Sequence, residues 1–88
     1  MGQKVQIRSE YRYFDAEIEI QKIGNPVYDT RGTFIPDDEY VFVNFLERCQ
    51  VFWPDGGVSD IVVGGNQWIS ERKFQFNFIF KEPRPPRR

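Results

Sequence analysis

The chain has 88 residues, with 12 basic and 13 acidic side chains, no histidine and one cysteine. This length supports one domain with a single modest core, and the lone cysteine excludes an intrachain disulfide framework. Without histidine there is no Ser-His or Cys-His nucleophile and no His-ligated zinc. We therefore expect a protein that is not an enzyme and that uses no cofactor and no metal.

The first third of the chain alternates apolar and polar residues with a period of two, which predicts β-strands. Val5 and Ile7 are apolar at odd positions, whereas Phe14 to Ile20 has its apolar residues at even positions. A one-residue offset would send the core set to solvent, so residues 9–13 must contain a turn, a bulge or a bend.

The segment Tyr40 to Leu46 is apolar at six of its seven positions, which predicts a central strand covered on both faces. A helix over residues 37–50 is the alternative, because Pro36 precedes three acidic residues that would form an acidic first turn. The β-branched and aromatic residues of the segment favour the strand.

Three further strands are predicted at Cys49 to Trp53, Val58 to Val63 and Lys73 to Lys81. In the last of these, phenylalanines at positions 74, 76, 78 and 80 share one face. Turn residues separate the strands at 24–26, 29–32, 35–38, 54–57 and 64–66. This spacing predicts an all-β fold, a small antiparallel sandwich or partly open barrel of about six to eight short strands.

The composition changes at the C-terminus, where residues 82–88 contain three prolines and three arginines. We expect a single β domain over residues 1–81 and a flexible, extended basic tail over 82–88, since proline cannot donate to a β-ladder. The tail fits the pattern Pro-x-x-Pro-x-Arg that SH3-type grooves bind, although a generic basic tail is the simpler interpretation. The tail residues expected to contact a partner are Pro83, Arg84, Pro86, Arg87 and Arg88.

Charge is divided unevenly along the chain. Residues 1–71 have a net charge of −6, whereas residues 72–88 have a net charge of +5. This asymmetry predicts that the basic end docks on an acidic partner, on a sister copy or on the acidic body of the same chain, unless both surfaces are merely solvated. The candidate acidic docking face comprises Asp15, Glu17, Glu19, Asp37, Asp38 and Glu39.

Five aromatic residues lie beside turns or parity changes, where amphipathic rings often serve at interfaces. These candidates are Tyr11, Tyr13, Tyr28, Trp53 and Trp68. We therefore expect a non-catalytic protein-binding or assembly module that acts through sheet edges, exposed aromatics and the basic tail. A protein partner or a homo-oligomer is the expected assembly, and a compact viral or phage accessory protein would suit this profile.

The alternative function is an OB-like module that binds single-stranded nucleic acid through its tyrosines and its basic C-terminal end. The tetrapeptide at 42–45 matches the last half of the RNA-recognition-motif octapeptide, but Asp38 and Glu39 stand where that motif needs a basic residue and glycine. The acidic body also opposes a phosphate-binding groove. No apolar run approaches the roughly 18 residues of a membrane span, and the N-terminus turns polar at once, so we expect a cytoplasmic protein with no membrane partner.

Overall fold

The computed structural model describes residues 2–21 and 29–84, in which six antiparallel β-strands close into a barrel. The strands are β1 (Gln3–Ser9), β2 (Tyr13–Gln21), β3 (Asp29–Pro36), β4 (Arg48–Phe52), β5 (Val58–Ser70) and β6 (Lys73–Arg84). Their order around the barrel is β1-β2-β3-β6-β5-β4, and β4 returns to pair with β1. The all-β prediction is confirmed, and the sheet is a closed barrel.

The barrel interior is filled by the apolar residues that alternate along each strand. Its largest fully buried side chains are Phe34, Phe76, Phe78, Ile7, Ile18, Ile61, Val43, Val51 and Val63. The even-numbered apolar set of β2 faces this core as predicted, and the change of parity falls in the turn between β1 and β2. On β6, Phe76, Phe78 and Phe80 are buried, and Phe74 packs against the edge of the core.

The segment from 37 to 47 is neither the predicted strand nor the alternative helix. It is an irregular loop that connects β3 to β4, and Tyr40 and Leu46 adopt φ values of 63° and 64°, which end regular pairing. Both neighbours of β3 are already taken, by β2 and β6, so the chain must cross to the far side of the barrel. Val43 is fully buried during this crossing, whereas Tyr40, Phe45 and Leu46 are exposed, so the apolar content of the segment does not reflect a buried strand.

Two predicted turns lie inside strands. Residues 29–32 belong to β3, where a Cβ on Gly32 would lie 2.9 Å from the Phe78 ring. Residues 64–66 belong to β5, and the register against β6 shifts between Val63 and Gly65. Gly32 therefore allows a close packing contact, and Gly64 and Gly65 allow a β-bulge. Neither segment reverses the direction of the chain.

The other turn predictions fare differently. Residues 54–57 form the turn between β4 and β5, with Gly56 at φ 94° and its N–H donating to the Trp53 carbonyl over 3.0 Å. The 35–38 turn begins where β3 ends, at Pro36. The 24–26 turn lies outside the described residues.

The last strand continues three residues beyond the predicted boundary at Lys81. Its backbone includes Pro83, and Arg84 pairs with Asp29 after an irregularity in the register. A break in the ladder is a place where a strand tolerates proline. The rest of the predicted tail, including Pro86, Arg87 and Arg88, lies outside the described residues. No helix in residues 2–21 and 29–84 is long and apolar enough to cross a membrane.

Candidate interaction surface

The hairpin of β5 and β6 is longer than the barrel it helps to build. β4 pairs with β5 only from Val58 to Val62, and β3 pairs with β6 only as far as Phe76. Past these points the two strands continue to pair with each other, up to Ser70 and Lys73. Residues 65–75 therefore form a two-stranded extension, here called the ribbon.

A stack of aromatic rings runs from the core into the ribbon. The ring centroids of Phe34 and Phe76 are 5.1 Å apart, those of Phe76 and Phe74 are 5.9 Å apart, and those of Phe74 and Trp68 are 4.0 Å apart. The first members are fully buried, whereas Trp68 is 63% exposed. Trp68 therefore lies at the surface while its ring packs on Phe74, which connects it to the core.

The loop between β3 and β4 adds a third ring. Phe42 is 42% exposed, and its centroid lies 5.4 Å from that of Phe74 in an edge-on arrangement. A side-chain nitrogen of Arg12, in the β1–β2 turn, donates to the Phe42 carbonyl and helps to hold this part of the loop. We call Phe42, Trp68 and Phe74 the aromatic cluster.

Polar contacts fix the loop against the tip of the ribbon. The Tyr40 N–H donates to the Arg72 carbonyl over 2.8 Å, and the Lys73 ammonium donates to the Asp37 carbonyl over 2.8 Å. The Arg72 guanidinium also lies 3.6 Å from the Glu39 carboxylate. The residues of the aromatic cluster therefore lie on two elements, the β3–β4 loop and the ribbon, that contact each other through these polar groups.

These contacts bear on the predicted charge asymmetry. Arg72 and Lys73, which begin the basic C-terminal block, contact the Glu39 carboxylate and the backbone carbonyl of Asp37. Docking of residues 82–88 on an acidic surface stays a prediction. Asp38 is exposed in the same loop.

The remaining acidic residues line the outer wall of the barrel. Asp15, Glu17 and Glu19 alternate with buried residues of β2 and are exposed, as predicted. Lys4, on β1, forms an ion pair of 2.6 Å with Asp37. This hydrogen bond raises the pKa of the Lys4 ammonium, the charges of Glu17 and Asp15 add to the rise, and burial opposes it.

No family model, curated protein or solved structure matches this chain. The candidate surface is therefore defined by its residues and geometry alone.

The structure separates the five aromatic residues predicted to form an interface. Trp53 is only 5% exposed, because it follows Val51 on the inward face and donates its indole N–H to Ser59 over 2.8 Å, so its assignment to a surface is wrong. Tyr11 and Tyr13 are exposed at the β1–β2 turn, and Trp68 lies in the aromatic cluster. Tyr28 lies outside the described residues.

Two members of the cluster were missed by the sequence analysis. Phe74 shares the alternation of the core phenylalanines, and it becomes accessible only because the β3–β6 pairing stops at Phe76. Phe42 was assigned to a buried strand. The end of β3 at Pro36 could have indicated their exposure, because a strand that ends there is too short to cover the start of β6.

A second surface feature is a groove of about 340 Å³ on the barrel wall. Its charged lining residues are Arg8, Glu10, Arg48, Asp60 and Lys81. The guanidinium carbon of Arg8 lies over two rings, 4.4 Å from the centre of Phe52 and 5.8 Å from that of Tyr13. The groove thus presents three cations and two carboxylates beside an exposed tyrosine.

Cys49 also lines this groove, yet the residue is 3% exposed. Burial raises the pKa of its thiol to about 12, and the charge of Glu47 adds to the rise. A thiol with this pKa stays protonated at neutral pH and is a poor nucleophile. Among the described residues, no three acidic or cysteine side chains come together as metal ligands.

Proposed function

We propose that the protein is a non-catalytic protein-binding module whose contact surface is the aromatic cluster. One observation carries the proposal: Trp68 is 63% exposed although it ends a ring stack that is rooted in the core. Tryptophan is the residue type most enriched at the energetic centres of protein interfaces, where it fills a partner's pocket. A ring already held by Phe74 loses little conformational freedom on binding, which favours affinity.

The surroundings of the cluster support the same function. Interfaces commonly have an apolar centre and a polar rim. Here, the rings of Phe42, Trp68 and Phe74 adjoin charged groups at Glu39 and Arg72. Those charges can set the orientation of a partner around the apolar contact.

The absence of catalysis belongs to the proposal as well. The sequence contains no histidine, and its single thiol is buried and protonated at neutral pH. The carboxylates of Asp15 and Glu17 stand on an exposed strand face, outside any enclosed site in which a proton transfer could be directed to a substrate. A cytoplasmic location is part of the same proposal, and a single unpaired cysteine is in keeping with a reducing compartment.

The test compares two equally exposed aromatic residues. Tagged wild-type protein, a Trp68→Ser variant and a Tyr13→Ser control are used to capture proteins from an extract of the cells that make the chain. Proteins retained by the wild type and the control but lost with Trp68→Ser are then purified, and their binding is measured by calorimetry. We expect Trp68→Ser to weaken that binding at least about thirtyfold, in line with a loss of 2 kcal/mol or more at an interface centre.

The opposite result is equally clear. If every protein captured by the wild type binds Trp68→Ser with unchanged affinity, the aromatic cluster is not the contact surface and the proposal fails.

A second candidate function is the binding of single-stranded nucleic acid, and the barrel-wall groove favours it. Arg8, Arg48 and Lys81 line the groove, and exposed Tyr13 lies beside Arg8. Cations that contact phosphates beside a ring that stacks on bases are the usual elements of such a site. The basic C-terminal residues 82–88 would add attractive charge.

This candidate predicts a strong dependence on salt. The affinity for a fluorescent oligonucleotide should fall steeply between 50 and 200 mM salt. In a plot of log affinity against log salt concentration, an Arg48→Ala/Lys81→Ala variant should have a shallower slope, by the amount that corresponds to about two lost phosphate contacts. Removal of residues 82–88 should also weaken binding. No binding at the lowest salt would exclude this function.

A further inference from the structure

Among residues 2–21 and 29–84, no strand pairs with one side of β5 along the ribbon. Up to Val63 that side is covered: Leu46 donates to the Val63 carbonyl over 2.8 Å, and the Val63 N–H donates to Glu47 over 3.1 Å. From Gly64 to Ser70, no described residue forms backbone hydrogen bonds on that side, whereas the other side pairs with β6. On the β6 side, the loop between β3 and β4 donates one backbone hydrogen bond, from Tyr40 to Arg72.

The hydrogen bonds of Val63 show which residues along this edge direct their backbone groups away from β6. In an antiparallel ladder, consecutive residues direct their N–H and C=O groups alternately to one neighbour and to the other. Both groups of Val63 point away from β6, and the bulge inserts one extra residue after it. Asn66 and Trp68 therefore present their N–H and C=O groups to solvent, and Gln67 bonds toward β6.

The composition of the edge lacks the usual protection against pairing. Free edges of monomeric proteins commonly have a lysine, another charge or a proline that discourages a second strand. Residues 64–70 read Gly-Gly-Asn-Gln-Trp-Ile-Ser and contain none of these. The regular part of this segment, residues 66–68 between the register irregularities after Val63 and after Trp68, is therefore compatible with another strand lying against it.

The same edge is complementary to itself. A twofold axis through Gln67 places Asn66 of one copy opposite Trp68 of the other, and both residues have outward backbone groups. Each such pair exchanges two hydrogen bonds, so the two pairs give about four. The axis is normal to the ribbon, so the two Trp68 rings lie on one face and join two aromatic clusters into a single surface.

We propose that a second copy of this chain is the partner, paired through the β5 edges in an antiparallel arrangement centred on Gln67. This inference goes beyond the proposed function, because it concerns the β5 edge and leaves the aromatic clusters of both copies accessible. A continuous four-stranded ribbon, β6-β5-β5-β6, then links the two barrels.

The experiment exploits the position of Gln67 on the axis. Its side chain hydrogen-bonds Gln75 on the ribbon face opposite the aromatic cluster, so a charge there leaves the cluster intact. In the dimer the two copies of residue 67 face each other directly. We expect the wild type to show a dimer mass by analytical ultracentrifugation, and Gln67→Lys and Gln67→Glu each to weaken dimerisation at least about tenfold through like-charge repulsion.

Mixing the two charged variants should restore the dimer, because opposite charges then meet at the axis. Gln75→Lys is the matched control: it places the same charge on β6, one strand further from the axis, and it should leave the dimer unchanged. Circular dichroism confirms that each variant is folded. If a variant fails to fold, amide exchange in the wild type decides, since the Asn66 and Trp68 amides should become protected as concentration rises.

A wild type that stays monomeric at 0.5 mM, or a dimer that is indifferent to both charges at position 67, overturns the inference. Neither result affects the Trp68-dependent binding measured for the proposed function. Conversely, a dimer that responds to residue 67 together with no Trp68-dependent binding of any protein would retain the edge pairing and remove the aromatic contact.

Discussion

Within the barrel β5 has a partner strand on each side, whereas in the ribbon β6 is its one partner among the residues that the structure describes. The side chains differ in the same way. Phe76 and Phe78 are buried in the barrel, while Trp68 and Ile69 in the ribbon are 63% and 46% exposed. One hairpin therefore stabilises the fold along half of its length and exposes apolar surface along the other half.

This difference indicates how stability and recognition are divided. Burial of apolar area is the main stabilising term in a small domain, so residues inside the barrel should control folding. Large apolar residues left exposed next to an unpaired edge add little to folding, and their presence is better explained by an interface. Each prediction below tests this division.

The largest expected effect is the loss of a core ring. Phe76 is fully buried and stacks on Phe34, so Phe76→Ala should lower the free energy of unfolding by about 3–5 kcal/mol. Trp68→Ser removes a larger side chain but should lower it by less than about 1.5 kcal/mol, since most of that side chain is already in water. Urea denaturation measures both values. Equal losses would contradict the division between barrel and ribbon.

The buried thiol provides a kinetic test of the barrel. Because burial raises the pKa of Cys49 to about 12, its thiolate fraction at pH 8 is about a thousandfold smaller than in the unfolded chain. Alkylation by iodoacetamide should be slower by a similar factor in the folded protein than in urea. Folding is also linked to this proton: stability should fall as the pH rises from about 9 through 12. Rapid alkylation of the native protein would show that the barrel opens easily at β4.

A smaller loss of stability is expected when alanine replaces either of two glycines, and its size should differ between them because their surroundings differ. A Cβ on Gly32 would lie 2.9 Å from the Phe78 ring and still closer to the Glu19 carbonyl, so Gly32→Ala should destabilise the barrel by about 1–3 kcal/mol. A Cβ on Gly64 would have its nearest neighbour at 3.8 Å. Gly64→Ala should therefore shift the thermal midpoint much less, and a larger shift than for Gly32→Ala would contradict the assignment.

The smallest effect should come from the barrel surface. Lys4 and Asp37 form a short ion pair, but both side chains are exposed, and solvent screens such pairs. We expect Lys4→Ala to leave the denaturation midpoint at pH 7 within experimental error. Since the pKa of Lys4 is raised, any contribution is present below its unfolded pKa and disappears at higher pH. A clear loss of stability at pH 7 would show that exposed residues of the barrel wall contribute more to folding than the division between buried and exposed residues predicts.

The parts of the fold that were predictable are those where burial follows the period of a strand. The alternation at Phe14 to Ile20 and at Lys73 to Lys81 identified β2, β6 and their inward faces correctly. The crossing loop was not predictable, because Val43 is buried without belonging to any strand, and apolar content alone cannot distinguish the two cases. Gly64 and Gly65 were ambiguous for a similar reason, since bulges and turns both favour glycine.

The candidate site was less predictable than the fold. The exposure of Trp68 was expected from a predicted turn at 64–66 that is in fact part of β5. The same reasoning assigned Trp53 wrongly, because a residue beside a turn can still point inward. Exposure of Phe42 and Phe74 depends on where β3 stops and how the loop returns. These are relations between segments distant in sequence, and no local pattern contains them.

The bulge at Gly64 and Gly65 separates the two halves of β5 mechanically. The ribbon beyond it has little buried surface and, among the described residues, no second partner strand, so its backbone hydrogen bonds can open locally while the barrel remains folded. In hydrogen exchange, the ribbon amides should therefore behave as a unit of low local stability, distinct from the slowly exchanging barrel strands. A chain of 88 residues thus contains a slowly exchanging barrel and a less protected ribbon on which ring stacking holds Trp68 in place.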